Sequence, residues 1–198
     1  MLSRAGLSFT ELLVACAIAT LVMSFSTRQT AMLHHSLITL QQEAALSDEM
    51  RTLRQVISQQ LRNADYVMRE RFSIPANGSP VVSSVRVSHY PSEDENSCIT
   101  FAYDKNNNGR IAVEENEWLG FRLRSAAIEY RVSGKHCEDV GWHDLTDPRT
   151  THVHTFAVDL VNRTVWGRQY RITLHASAKK HDNVISQSQF VVGVHNAR

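Results

Sequence analysis

The fold of this chain is decided by the stretch GLSFTELLVACAIATLVMSF, which occupies residues 6–25. From Leu7 to Phe25 it contains nineteen residues with one charged side chain, Glu11, and with neither Pro nor Gly. A helix rises about 1.5 Å per residue, so this segment is about 28 Å long, close to the ~30 Å hydrocarbon thickness of a bilayer. The stretch therefore predicts a helix that can span a membrane.

Glu11 separates this stretch from two commoner kinds of apolar N-terminus. A secretory signal peptide begins with basic residues, and Arg4 supplies one. Its apolar core, however, does not carry a carboxylate, and no small-residue cleavage pattern follows Phe25. A plain membrane anchor leaves the carboxylate unexplained, since an ionised group in lipid is costly unless it is paired. Both alternatives stay open, but a functional carboxylate is favoured.

The start of the chain resembles the processing signal of type IV prepilins. The shared features are a short basic leader that ends in Gly6, an apolar Leu7, and Phe9-Thr10-Glu11 before the apolar run. The resemblance implies that a membrane peptidase cuts after Gly6 and that the new amino terminus, Leu7, is then methylated. It also implies that Glu11 pairs with the N-terminal ammonium of a neighbouring subunit during assembly. Ser8 departs from the family, in which a bulkier residue is common at this place.

The helical pattern continues over residues 26–71. Pro and Gly do not occur in it, and apolar residues recur every three or four positions, which marks one face of a helix. These apolar residues are Leu33, Leu37, Leu40, Ala44, Met50, Leu53, Ile57, Leu61, Ala64 and Met68. We therefore predict one long helix with a transmembrane half (7–25) and an amphipathic half (26–71), preceded by a leader at residues 1–6. A free coiled coil is the alternative, but the run lacks a sustained heptad.

Residues 72–198 have a strand-like pattern, which follows a loop rich in Pro, Gly and Asn at residues 73–80. Seven candidate strands recur without a second long helix. They lie at residues 81–90, 98–103, 118–124, 127–132, 152–161, 170–177 and 185–194. The predicted fold class is therefore α+β: a type IV pilin-like arrangement in which one long N-terminal helix packs on an antiparallel β-sheet head.

The head contains two of the three cysteines, Cys98 and Cys137. If the head lies outside the cytoplasm, we expect a disulfide between them that closes about 40 residues and contributes about 4 kcal/mol. Two buried free thiols are the alternative, and zinc binding is disfavoured because zinc sites need four clustered ligands. Cys16 lies in the apolar run and is predicted to pack as a small apolar side chain.

Charge and motifs exclude several functions. The formal net charge is +1, and residues 72–198 contain fourteen Lys or Arg and fourteen Asp or Glu, which counts against nucleic-acid binding. No phosphate loop, HExxH zinc motif or nucleophile elbow occurs, so we predict that the protein is not an enzyme. His152 and His154 share one face of a predicted strand, but they have no third clustered ligand and are predicted to be solvated.

One loop has the spacing of a calcium site. Asp104, Asn106 and Asn108 supply side-chain oxygens at positions one, three and five, Arg110 its carbonyl at position seven, and Glu115 a carboxylate at position twelve. Against this interpretation, the preceding residues look like a strand, and Asn-Gly is an ordinary hairpin turn. With two charged ligands any Ca²⁺ site would be weak, and a plain turn stays open as the alternative.

The head further resembles the PilW-like minor pilins. The matching segments are CITFAYD at residues 98–104, LGFRL at 119–123 and GWHDLTDP at 141–148. The resemblance implies a low-abundance subunit that crosses the bacterial inner membrane once, holds its head in the periplasm, and joins the filament near its tip. Its implied partners are the prepilin peptidase, other minor and major pilins, and the inner-membrane assembly platform.

Two alternatives for the function stay open. The first follows from a more distant similarity to J-type pseudopilins, which implies that the protein is a pseudopilin of type II secretion. From a different class, the head would be a tip-exposed module that binds DNA or a surface, although its balanced charge disfavours DNA.

Overall fold

The computed structural model describes residues 9–68, 83–164 and 167–195. Within these ranges the chain forms one helix, α1 (Phe9–Arg62), and eight strands. The strands are β1 (Arg86–Ser88), β2 (Cys98–Ala102), β3 (Trp118–Arg124), β4 (Ala127–Tyr130), β5 (His143–Asp144), β6 (Thr151–Thr164), β7 (Gly167–Ala178) and β8 (His181–Val194). The predicted leader, residues 1–6, lies outside the described residues.

The chain divides into two compact units, 1–42 and 43–198. The first unit is described as the helical segment 9–42, and most of its large apolar side chains are exposed, as the predicted transmembrane half requires. The second unit contains the rest of α1 and all eight described strands.

The strands of the second unit form two sheets. One has five strands in the order β1-β2-β3-β4-β5, and the other has three in the order β6-β7-β8. Every pairing is antiparallel, so the α+β class is confirmed. The structure differs from the prediction in having two sheets, since β6 pairs with β7. Among the described residues, backbone bonds from β6 toward the first sheet go to residues outside its strands, as from Val153 N to Ala126 O (2.9 Å).

The two sheets share one hydrophobic core with α1. Side chains at helical spacing on α1 are buried, from Leu46 through Met50, Leu53 and Ile57 to Leu61. They pack in the same cluster as side chains of both sheets, among them Ile99, Phe101, Phe121, Phe156, Ile172 and Leu174. Complete burial of each such side chain contributes about 1.5–3 kcal/mol. The predicted packing of the amphipathic half against strands is therefore confirmed for its C-terminal part.

The end of the helix was predicted wrongly. α1 ends at Arg62 rather than at Arg71, and residues 69–71 lie outside the described residues. The cause is Asp65, which has φ 64° and donates its N–H to Ala102 O at 2.8 Å. Its carboxylate also accepts hydrogen bonds from Ser83 Oγ (2.6 Å) and Ser84 N (2.5 Å). A left-handed residue tied to a strand cannot continue a helix.

The predicted disulfide between Cys98 and Cys137 is confirmed, with an S–S distance of 2.02 Å. Both cysteines are buried with Trp142 in a small cluster separate from the main core. The bond joins β2 to the loop between β4 and β5, so this loop is fixed to the five-stranded sheet. Cys16, by contrast, is a free and exposed cysteine on α1.

Arg122 lies beneath this loop and is fully buried, which the sequence patterns did not indicate. Its Nε bonds Glu129 Oε2 at 2.6 Å, and its Nη1 donates to the carbonyl oxygens of Cys137 (2.5 Å) and Asp139 (2.7 Å). The rings of Tyr90 and Trp142 lie 5.0 and 4.5 Å from the guanidinium carbon. A buried cation is tolerated when it is paired and hydrogen-bonded, and aromatic faces add cation–π attraction.

We expect the double substitution of Cys98→Ser and Cys137→Ser to lower the free energy of unfolding by about 2–4 kcal/mol, because the open chain regains the entropy of a loop of about 40 residues. Urea unfolding of the full chain in detergent measures the change. The matched control is Cys16→Ser, which leaves the head unaltered. An unchanged midpoint in the double variant would contradict a stabilising role for the bond.

Candidate functional site

Glu11 lies near the start of the described part of α1, among exposed apolar side chains. Thr10, Val14, Ala15 and Ile18 line a shallow groove on the helix together with it. Among the described residues, α1 is the one helix that is long and apolar enough to cross a membrane. A carboxylate at this position of a membrane-spanning helix would be costly unless it were paired with an opposite charge.

Hydroxyl side chains on the same helix form hydrogen bonds with the helix backbone. Five of them donate to backbone carbonyls three or four residues earlier, at 2.7–3.0 Å: Thr20, Ser24, Thr27, Thr30 and Ser36. A hydroxyl satisfied in this way needs no water and no partner from another helix. Because a Ser or Thr inside a helix can bond the carbonyl three or four residues earlier, the position of these residues within a predicted helix is the signal for such bonds.

Three of the predicted roles at the N-terminus are not tested by the geometry. Gly6 and Leu7 lie outside the described residues, so leader cleavage and N-methylation stay predictions. The pairing of Glu11 with a second subunit also stays a prediction, because it requires a partner chain.

The loop between β2 and β3 is the second candidate site, and two buried carboxylates accept hydrogen bonds from its backbone. Asp104 accepts hydrogen bonds from the backbone N–H groups of Met68 (3.0 Å), Asn108 (3.0 Å) and Gly109 (2.8 Å). Glu117, which is fully buried, accepts three further backbone N–H groups, from Lys105, Asn106 and Ala112. The loop is therefore held from inside by carboxylate-to-backbone bonds, and Glu117 was not anticipated from the motif.

Glu115 brings together the remaining predicted calcium ligands. Its Oε2 accepts the amide groups of Asn106 and Asn108, each at 2.7 Å, and its Oε1 pairs with the Arg110 guanidinium at 2.8 Å. The loop thus gathers all these side chains, but its own groups satisfy them, and a cation would compete with Arg110 for Glu115. Calcium binding by this loop stays a prediction.

Hydrogen bonding lowers the pKa of two carboxyl groups of this loop, those of Asp104 and Glu115. Burial by itself raises the pKa of Asp104, but the N–H groups of Met68, Gly109 and Asn108 outweigh it and hold that pKa below its ordinary value. The pKa of Glu115 is lowered by the hydrogen bond from Arg110 and then by those from Asn106 and Asn108.

Histidine rings contact one another on the three-stranded sheet. The centroids of His152 and His154 are 4.5 Å apart with the rings stacked, and His175 on β7 lies 5.1 Å from His154. His154 Nε2 is also 2.8 Å from Ser177 Oγ. Within the part of the chain that the structure describes, however, no group of three or more His, Cys, Asp or Glu is arranged to hold a metal ion.

Comparison with known proteins gives two matches. A family model described as prepilin peptidase-dependent protein B matches residues 39–194, a range that begins within α1 and includes all eight described strands. A protein of that name from Escherichia coli (strain K12) is 26% identical over 194 residues, which cover 95% of this chain and 95% of that protein. No solved structure matches the chain significantly.

We expect the head to lose stability in acid through the β2–β3 loop. A carboxyl with a lowered folded-state pKa stabilises the fold above its unfolded pKa of about 4, and this contribution is lost as the pH falls through the folded value. Asp104→Asn should therefore be less stable at pH 7 and should show a shallower decline below about pH 4.

Thermal unfolding of the full chain between pH 7 and pH 3 measures this difference. Asp182→Asn is the matched control, since Asp182 is an exposed residue of β8, and its curve should follow that of the parent. If Asp104→Asn declined as steeply as the parent, the loop would not be the source of the acid sensitivity.

Proposed function

The chain belongs to the prepilin peptidase-dependent protein B family, and from this premise we propose that it is a minor type IV pilin that takes part in pilus assembly. Family membership and the apolar N-terminal helix make it a pilin-related protein. The finer proposal is that it primes or joins the filament near its tip, and that it acts through binding without catalysis of its own.

The observation that carries the proposal is a carboxylate, Glu11, which is the one charged side chain between Leu7 and Phe25 and lies on the apolar helix that begins at Phe9 in the described residues. Removal of the leader after Gly6 would free the amino group of Leu7, which the same peptidase would methylate. In lipid, Glu11 and a neighbour's N-terminal ammonium neutralise each other, and the attraction is strong because little water screens it. A subunit placed out of register loses this pairing, so the pair selects the correct position.

The head supports a periplasmic location for the second unit. The Cys98–Cys137 disulfide forms and persists in an oxidising compartment such as the periplasm. The chain would cross the inner membrane once and then enter the filament. Its partners would be the prepilin peptidase, the assembly platform, and other minor and major pilins.

We expect Gly6→Ala to retain the leader, because the peptidase in this class of protein reads the Gly before the cut. Mass measurement of the protein purified from membranes gives the result: residues 1–6 present in the variant, and a methylated Leu7 as the first residue of the parent. A neighbouring substitution, Ala5→Ser, serves as the control and should be processed. Normal trimming of Gly6→Ala would refute the proposed leader.

We expect Glu11→Ala to enter filaments at least about tenfold less than the parent, since loss of one desolvated ion pair costs well over 1.4 kcal/mol. The amount of the protein in sheared pili, relative to the amount in membranes, measures incorporation. Val14→Ala, in the same groove, is the control and should assemble normally. Equal incorporation of Glu11→Ala and parent would remove the basis of the proposal.

A further inference from the structure

The disulfide of the head lies beside a buried cation that is close to both cysteines. Arg122 on β3 is the direct cross-strand partner of Cys98 on β2, so the two side chains lie on the same face of the sheet, with Cβ atoms about 5 Å apart. Arg122 Nη1 also donates to the carbonyl oxygens of Cys137 (2.5 Å) and Asp139 (2.7 Å) on the loop between β4 and β5. One guanidinium therefore neighbours the strand cysteine and binds the loop cysteine.

The loop between β4 and β5 also has bonds of its own that do not involve sulfur. Arg131 Nη2 donates to Gly134 O at 2.8 Å, and Trp142 Nε1 donates to His136 O at 3.1 Å. Such contacts can form while both cysteines are still thiols. Together with the bonds from the guanidinium, they would hold the loop sulfur near the strand sulfur and raise its effective concentration there.

Among the described residues, the buried charges on this face of the sheet sum to one positive charge. They belong to Arg122, Glu129 and Arg131. The other ionisable side chains around the face are less buried; they are Arg86, Tyr90, Glu93, Arg124, Lys135, His136, Glu138, Asp139 and Asp144.

The guanidinium of Arg122 has a donor to spare. Its Nη2 atom is buried and has no hydrogen-bond partner among the described residues. Its ion-pair partner Glu129 is shared, since that carboxylate is 2.6 Å from Arg122 Nε and 3.9 Å from Arg124 Nη1. Burial disfavours a thiolate, whereas a neighbouring cation favours it. A thiolate at Cys98 would therefore gain both a counter-charge and a donor from Arg122.

We propose that Arg122 is a positioning residue that promotes closure of the Cys98–Cys137 disulfide. It holds the loop that carries Cys137 against β2, and its charge stabilises the Cys98 thiolate that forms the bond. This inference goes beyond the proposed function, because it concerns how the head matures and not what the head assembles with.

Closure is a thiol–disulfide exchange that needs an oxidising disulfide, RSSR, as co-reactant. The Cys137 thiolate attacks RSSR, which releases one RS⁻ and leaves a mixed disulfide. The Cys98 thiolate then attacks the Cys137 sulfur and expels the second RS⁻. The leaving thiolates take up the protons that the cysteines lose, so RSSR is reduced to two RSH as the cysteines are oxidised. Cys98 takes the second step because it is completely buried on a strand, whereas Cys137 lies on a loop.

The test follows closure in the reduced full chain in detergent, with Cys16→Ser in every variant so that the exposed cysteine does not react. The probe is dithiobis-nitrobenzoate, an aromatic disulfide that releases a coloured thiolate. The first release reports the mixed disulfide, which peptide mapping should locate on Cys137. The second release reports closure, and its rate should not depend on the reagent concentration because the step is intramolecular.

The informative variant combines Arg122→Met with Glu129→Gln, because Arg122→Met alone would leave a buried carboxylate without its cation. At pH 7 we expect the double variant to close at least about tenfold more slowly than the parent. The pH at which closure reaches half its maximal rate should rise by about one unit. Arg122→Lys keeps the charge and should keep the midpoint of the parent.

A second variant tests the same charge in the opposite direction. Glu129→Gln alone removes the anion and leaves the cation, so its pH midpoint should fall below that of the parent. This result decides the question if the double variant does not fold, which circular dichroism of each reduced protein shows. Arg171→Met is the matched control, since Arg171 is an exposed arginine on the central strand of the other sheet. Its closure should match that of the parent.

A purely structural role of Arg122 would slow closure without moving its pH midpoint. The inference would therefore be overturned by a folded double variant with the midpoint of the parent, or by a midpoint in Glu129→Gln that does not fall. It would also be overturned by an equal shift in Arg171→Met or by a mixed disulfide on Cys98.

Discussion

Both sheets of the head depend on one apolar stripe of α1. The three-stranded sheet has large apolar residues on its inner face, such as Phe156, Ile172 and Leu174, and three strands alone cannot cover them. The five-stranded sheet has the same need at Ile99 and Phe101. Because the stripe that ends at Leu61 contributes to a core common to both, the second half of α1 holds together two sheets that share few bonds with each other.

Polar groups on the first half of α1 are constrained by the cost of leaving them unsatisfied in lipid. The hydroxyls of residues such as Thr20 and Ser24 complete their hydrogen bonds on the helix backbone, so they add little cost in lipid. A carboxylate adds a charge, whose cost in lipid is lowered by hydrogen bonds and lowered much further by a counter-charge. Glu11 is therefore the group in this segment whose energy changes most when a cation arrives. An assembly signal placed there distinguishes a subunit in position from one that is free in the membrane.

Local patterns predicted those parts of the fold that local physics determines. The period of the apolar residues predicted a long helix, and alternation placed most of the strands near their observed positions. The end of α1 at Arg62 could not be predicted in this way, since it is fixed by bonds from Asp65 to Ala102 and to Ser83, which are distant in the sequence. Likewise, the division into two sheets depends on which strands pair, and the alternation within β6 does not indicate that its partner is β7 and not a strand of the first sheet.

The same distinction explains why Arg122 was missed although the disulfide beside it was predicted. Alternation through Phe121 and Leu123 correctly points Arg122 away from the main core, which on an open sheet would mean toward water. The face of the sheet on which Arg122 lies is covered by the loop between β4 and β5, because Cys98, the cross-strand neighbour of Arg122, is bonded to Cys137 in that loop. Once the register of β2 and β3 is known, the disulfide by itself places a loop over Arg122. The guanidinium then requires Glu129 and two loop carbonyls, so the covering loop, the disulfide and the buried charge stabilise one another.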